Sequence, residues 1–176
     1  MGARAVAVAC GAMSDIERES LLEFLQRQRD LVPYKVQDAS DDVLRSVRTS
    51  TGLTMHGIVR HLTNCERGWF RWAFADQADL TFDHTEEDED ADFKVPADVP
   101  MAQLLADYSA EQKHCDEVIL AAESLDEHGV HRDRSLRWIL LHMIEETARH
   151  LGHLDLLREQ ADGTVGDLPQ RSSAST

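Results

Sequence analysis

The stretch SLRWILLHMIEETARHLGHLDLLREQADG, Ser135 to Gly163, decides how this chain is read. Ser135 can cap the start of a helix and Gly163 can close its end. Inside it, His142, Glu146, His150 and His153 follow one another at spacings of four, four and three. At about 100° per residue, Glu146 lies ~40°, His150 ~80° and His153 ~20° around the helix from His142, so the four share one stripe. Ile139 and Leu157 fall on the same stripe and are core-type residues. The stripe is therefore not simply the wet side of an amphipathic helix. Polar groups there need partners, because burying them alone costs several kcal/mol.

Working outward, Thr54 is a candidate cap for a helix over about 55–75, carrying Ile58, Val59, Leu62, Trp69, Phe70, Trp72 and Phe74. His61 lies on its apolar side, whereas His56 points away and is expected in solvent. An earlier helix starts at a Ser14/Glu17 capping box and ends at Pro33. A short helical turn follows Ser40. A further helix, with Asp98 as cap and Pro100 in its first turn, runs to about Leu125, and the helix opened by Ser135 runs to about Gln160. No stretch alternates as a strand would. The expectation is an all-α four-helix bundle with long connections, occupying residues 14–168, after a loose tail over 1–13 and before a disordered tail over 169–176. Residues 1–13 are too weakly apolar for a signal peptide or a membrane span, and Met13 is a plausible alternative start.

Charge narrows the function. With 33 acidic against 18 basic residues the chain nets −15, which excludes a dedicated nucleic-acid or anionic-membrane binder. Seven acids, Asp83, Glu86, Glu87, Asp88, Glu89, Asp90 and Asp92, sit in one run that reads as a solvated loop without a catalytic role. It lacks the spacing of a calcium loop; cation or basic-partner binding there is a minor alternative. Cys10, Cys65 and Cys115 share no disulfide or zinc-finger spacing, which fits a reducing, cytoplasmic setting. Helical bundles often pair through an exposed apolar stripe, and a homodimer is the expected assembly.

Bundles build metal sites from inward side chains on facing helices. His61 with Glu146 and His150 meets that description, and two imidazoles plus a carboxylate leave open positions, as catalytic zinc requires and as iron(II) or nickel also accepts. The alternative is a buried hydrogen-bond network without metal. Within the metal reading, His142 with Glu146 is an equally good pair, and His153 or His142 could orient ligands from outside. Cys65, one turn from His61, offers a soft ligand or a packing group. Trp69 and Trp72 read as core or pocket wall, and Glu145 as a solvated or salt-bridged group.

Two segments, GIVRHLTNCERGWFRW (Gly57 to Trp72) and the Ser135 to Gly163 stretch, resemble a family of actinobacterial proteins in the DinB-like four-helix-bundle superfamily. The resemblance extends from about Ser14 to Leu168. It implies a metalloenzyme fold whose metal triad is one His on the second long helix and two His, four residues apart, on the last. Carried onto this chain these positions are His61, Glu146 and His150, with Glu146 departing from the three-His pattern. His142, His153, Cys65 and Trp69 are then orienting or substrate-contacting residues. Relatives include thiol S-transferases that use mycothiol or bacillithiol, a mycothiol-dependent maleylpyruvate isomerase and a domain of an ergothioneine-forming iron enzyme. The resemblance thus implies a divalent metal that activates a low-molecular-weight thiol against a small electrophile. The rival function is a non-catalytic metal- or ligand-binding bundle, for instance a stress-response protein.

Overall fold

The computed structural model describes the backbone of residues 2–166 and the side chains of residues 15–166. Four long helices and one short one make up the bundle: α1 (Gly2–Val36), α2 (Asp41–Ser46), α3 (Met55–Glu66), α4 (Met101–Ala121) and α5 (Leu136–Asp162). No strand occurs among the described residues; a lone bridge joins His128 to Ser135. α1 packs along α5 and α3 along α4. No helix is long and apolar enough to cross a membrane among the described residues. The tail expected over 169–176 lies outside them.

Several caps act where the sequence places them. Gly57 N–H donates to Thr54 Oγ1 at 3.0 Å, Trp138 N–H to Ser135 Oγ at 3.3 Å, and Gly163 closes α5 at φ 79°. Other helix ends differ. α1 runs through Ser14 from Gly2, and it continues past Pro33 to Val36. Proline removes one backbone donor there, and the freed end is held from outside: Arg158 Nη1 on α5 donates to Lys35 O at 3.0 Å and Gln37 O at 2.8 Å. Asp98 does not cap α4. Pro100 occupies the cap position, and Met101 N–H donates to Asp41 Oδ1 at 2.9 Å. His56, expected in solvent, is 1% exposed because it also pairs with Asp41.

The helix expected to reach Ala75 changes pitch at Arg67. A π-helix spans Arg67–Phe74, with Ala75 N–H bonded to Phe70 O at 3.1 Å. Such widened turns concentrate at functional sites because they re-aim side chains.

The core is two apolar clusters with a polar layer between them. One gathers Val32, Ile58, Leu62, Leu151 and Leu154; the other gathers Leu25, Phe70, Ile119, Ile139 and Met143. Each fully buried Leu or Ile contributes about 1.5–3 kcal/mol. On α5 the gap between Met143 and Leu151 holds Glu146, Thr147 and His150. Arg29 lies in the same layer, bonding both oxygens of Glu66 at 2.7 and 2.6 Å and Asp116 at 2.7 Å, and so ties α1 to α3 and α4. Removing one partner of such a buried pair costs about 3–5 kcal/mol through the charge left behind.

Candidate metal centre

His61 projects from α3 one turn after Gly57. A Cβ at Gly57 would meet Phe93 O at 2.4 Å, so only glycine lets the 3₁₀ turn Ala91–Phe93 settle onto α3. Arg60 fastens that turn, donating to Asp92 O at 2.7 Å and Ala91 O at 2.6 Å. Phe93 then stacks on the His61 ring at 4.1 Å. Asp92 Oδ2 accepts from His61 Nδ1 at 2.8 Å.

This corrects the reading of the acidic run. Asp92 is 3% exposed and touches the imidazole expected to bind metal. Glu86 and Glu89, from the same run, line a cavity together with Asp92 and His61. Sequence reasoning missed Asp92 because the seven acids look alike when only charge is counted. The one signal available was Phe93, an aromatic closing an otherwise polar run.

On the other ring edge, His61 Nε2 lies 3.3 Å from Glu146 Oε1 and 3.3 Å from Cys65 Sγ. Glu146 Oε1 is also 3.1 Å from His150 Nε2. The structure therefore brings His61, Glu146 and His150 around one carboxylate oxygen and adds Cys65. The ligand atoms of His61, Cys65 and Glu146 all lie within 4.8 Å of one another. His153 packs edge-on against His150 at 5.3 Å. His142 stands apart, against Trp69 at 4.6 Å and Trp138 at 5.1 Å. Glu145 is exposed and pairs with Arg149.

Electrostatics follow from these contacts. Burial works against the His61 imidazolium, but hydrogen bonds to Asp92, Cys65 and Glu146 outweigh it and raise its pKa to about 11. His150 and then His61 hold the Glu146 carboxyl well below the usual carboxylate range. Burial pushes the Cys65 thiol up, opposed by His61, and pushes the imidazolium forms of His142 and His153 down. Without a metal, His61 needs both ring protons to face two carboxylates. A divalent cation can replace the inward proton, and the donor set of imidazole nitrogen, thiol sulfur and carboxylate oxygen suits zinc, iron(II) or nickel. Asp92 fixes the outward proton on Nδ1, which leaves Nε2 as the ligand nitrogen. The Nδ1 atoms of His150 and His153 and Oδ1 of Asp92 are buried without a hydrogen-bond partner. The residues present fit a metal.

Above the cluster opens a cavity of about 770 Å³, walled by His61, Cys65, Trp69, Trp72, Phe82 and Arg132. Its wall mixes the aromatic rings of Trp69, Trp72 and Phe82 with the carboxylates of Glu86, Glu89 and Asp92. A second cavity of about 610 Å³ on another face takes in Arg67, Arg71 and Glu111, with both arginines paired to the buried Glu111 carboxylate.

The mycothiol-S-transferase family matches residues 20–163. The chain belongs to that family. Nothing among curated proteins or solved structures matches the chain. The mycothiol-S-transferase match takes in every residue of the cluster and the cavity wall, and it contains the acidic run with Asp92. Family membership supports a thiol-related transferase, and the cluster suggests a divalent metal of unspecified identity.

Proposed function

We propose that this mycothiol-S-transferase family member joins a low-molecular-weight thiol of the mycothiol type, through its sulfur, to a small electrophile. His61, Glu146 and His150 would hold a divalent metal, most simply zinc, with Cys65 beside them as a soft donor. The observation carrying this reading is the convergence of His61 Nε2, Cys65 Sγ and Glu146 Oε1 within 4.8 Å of one another, with His61 and Cys65 also lining a cavity that holds Trp69, Trp72 and Phe82. A divalent metal bound there supplies a Lewis acid that lowers the pKa of a thiol, giving thiolate at neutral pH.

The chain's own residues do the rest. Asp92 keeps the His61 proton on Nδ1 and the ring in place, a positioning role. Glu146 carries the compensating negative charge between two imidazoles. Trp69, Trp72 and Phe82 give the cavity apolar surface against which the body of an electrophile would lie.

The test is metal content of tag-free protein after reconstitution, for wild type and the His61→Ala, Glu146→Ala, His150→Ala and Cys65→Ser variants, followed by thiol turnover. Stoichiometric metal in wild type, loss in the first three and consumption of mycothiol-type thiol are expected. Equally negligible metal in all five would sink the reading. One observation favours a second reading, a non-catalytic bundle: the His61, Asp92 and Glu146 network closes on itself through protons alone. Metal-loaded protein inert toward thiols and a panel of electrophiles would select that alternative.

A further inference from the structure

The cavity above the cluster is lined by groups of both charges. Glu86 and Glu89 contribute carboxylates to its lining, and Arg132 contributes a guanidinium that spreads over the rings of Trp69 at 4.7 Å and Trp72 at 5.8 Å. Its neighbour Arg134 lies over Trp138 at 4.9 Å. The acids that could neutralise this lip are taken elsewhere. Asp133, between the two arginines, bonds His128, and Asp76 bonds His131. Arg132 makes no ion pair among the described residues, in contrast to Arg29, Arg67 and Arg71, each of which meets a buried carboxylate.

The loop that presents Arg132 is fixed. Gly129 N–H donates to Arg134 O at 3.0 Å, Val130 N–H to Phe74 O at 3.3 Å and His131 N–H to Ala73 O at 3.0 Å, which staples it to the end of the π-helix. The His131 ring stacks on Trp72 at 4.7 Å, nearly parallel. Aromatic faces hold a guanidinium's plane while leaving its edge N–H groups free to bond an anion. The fork geometry of those donors matches a carboxylate or phosphate. A fixed, exposed guanidinium with no ion-pair partner among the described residues, lining the same cavity as His61 and Cys65, can serve as a recognition group for a charged substrate.

Resting on the transferase reading above, we propose that Arg132 determines specificity for the second substrate, and that this substrate is an electrophile with an apolar body and a single oxyanion, most simply a carboxylate. The carboxylate would sit on the Arg132 edge, and the apolar body would lie along Trp69 and Trp72. Glu86 and Glu89, which line the same cavity, disfavour a second negative charge on the substrate.

Two measurements test this on the full chain reconstituted with zinc. Calorimetric titration with benzoate and benzamide compares wild type with Arg132→Ala and Arg132→Lys. Loss of a charge-assisted, bidentate contact predicts about 10–100-fold weaker benzoate binding in Arg132→Ala. Arg132→Lys should fall in between, and benzamide should bind all three alike. Melting temperatures should match, because Arg132 is exposed. Benzoate affinity unchanged by Arg132→Ala, or benzamide weakened equally, overturns the proposal; a carboxylate bound only to the zinc would give the first result.

The second measurement is transfer from mycothiol to 4-(chloromethyl)benzoate and to its amide. The thiolate sulfur forms a bond to the benzylic carbon, the C–Cl bond breaks with its electron pair leaving as chloride, and the thiol proton passes to buffer. Arg132→Ala should raise KM for the benzoate about 10–100-fold with kcat little changed, and leave the amide alone. Equal effects on benzoate and amide would overturn the specificity role. Arg132-dependent benzoate binding without turnover of either compound would leave the anion site standing and remove the transferase reading.

Discussion

Glu146 and Asp92 approach the same imidazole on its two nitrogens, from very different parts of the chain. Glu146 stands inside a 27-residue helix, between the buried core residues Met143 and Leu151. Asp92 stands in a three-residue turn after a run of exposed acids, and its place depends on two α3 residues, the glycine that lets the turn approach and the arginine that fastens it. A helix positions a side chain by its own geometry. A loop does so only through the surface it rests on, so the second carboxylate can be moved without touching the first.

Glu146→Ala is the largest expected break. It removes the oxygen shared by His61 and His150, leaving two imidazoles with no anion between them. Zinc affinity by competition with a chelator should fall more than about 100-fold, beyond the ~10–100-fold range typical of an outer partner. Retention of wild-type affinity would mean the cluster is a hydrogen-bond network and the metal sits elsewhere.

Asp92→Ala comes next. If Asp92 only orients His61, zinc affinity should fall about 10–100-fold, with His61 still able to bind. Asp92→Asn, whose amide oxygen can still accept from Nδ1, should recover much of the loss. A fall as deep as that of Glu146→Ala would make Asp92 equal to a direct ligand and erase the distinction between the two carboxylates.

Gly57→Ala sharpens the same comparison without altering any polar group. Alanine favours the helix by roughly 1 kcal/mol over glycine, but its Cβ would meet Phe93 O at 2.4 Å, and such overpacking costs typically ~1–3 kcal/mol. The net is a loss of up to about 2 kcal/mol, because the clash is with backbone, and the turn carrying Asp92 is pushed off α3. A modest fall in melting temperature with a several-fold loss of zinc affinity is expected. Unchanged affinity would show that Asp92 reaches His61 without help from the turn's seat.

The contrast also explains what could be read from residue order. Helix periodicity placed His61, Glu146 and His150 on inward faces, because an inward stripe is a property of one segment, and the caps Thr54, Ser135 and Gly163 are local in the same sense. What escaped notice depends on partners far along the chain. α1 passes Pro33 to Val36, and Arg158, more than a hundred residues on, holds the carbonyls of Lys35 and Gln37 at its end. The pitch change at Arg67 has no marker in the spacing of Trp69, Phe70, Trp72 and Phe74, all of which also suit an ordinary helix. Asp92 was invisible among six other acids until Gly57 and Arg60 on α3 gave it a place to land.

His56 and Asp41 offer the smallest effect and a control outside the site, an imidazole and a carboxylate paired with no metal-type cluster around them. Burial lowers the His56 pKa, and the Asp41 hydrogen bond only partly opposes it. The unfolded chain therefore takes up a proton near pH 6.5 that the folded chain refuses, and stability must fall as pH drops through that region. Asp41 adds nothing there: its own pKa is lowered, so its contribution is lost only at pH below the ordinary aspartate range. The stability of wild type measured against His56→Gln should accordingly decline between pH 7 and pH 5, no more steeply than ~1.4 kcal/mol per pH unit. His61 responds in the opposite sense because Asp92, Cys65 and Glu146 together outweigh its burial. A difference between wild type and His56→Gln that grows as pH falls would mean one carboxylate is enough to hold an imidazolium in this fold, and that the second carboxylate at His61 is there for something other than charge.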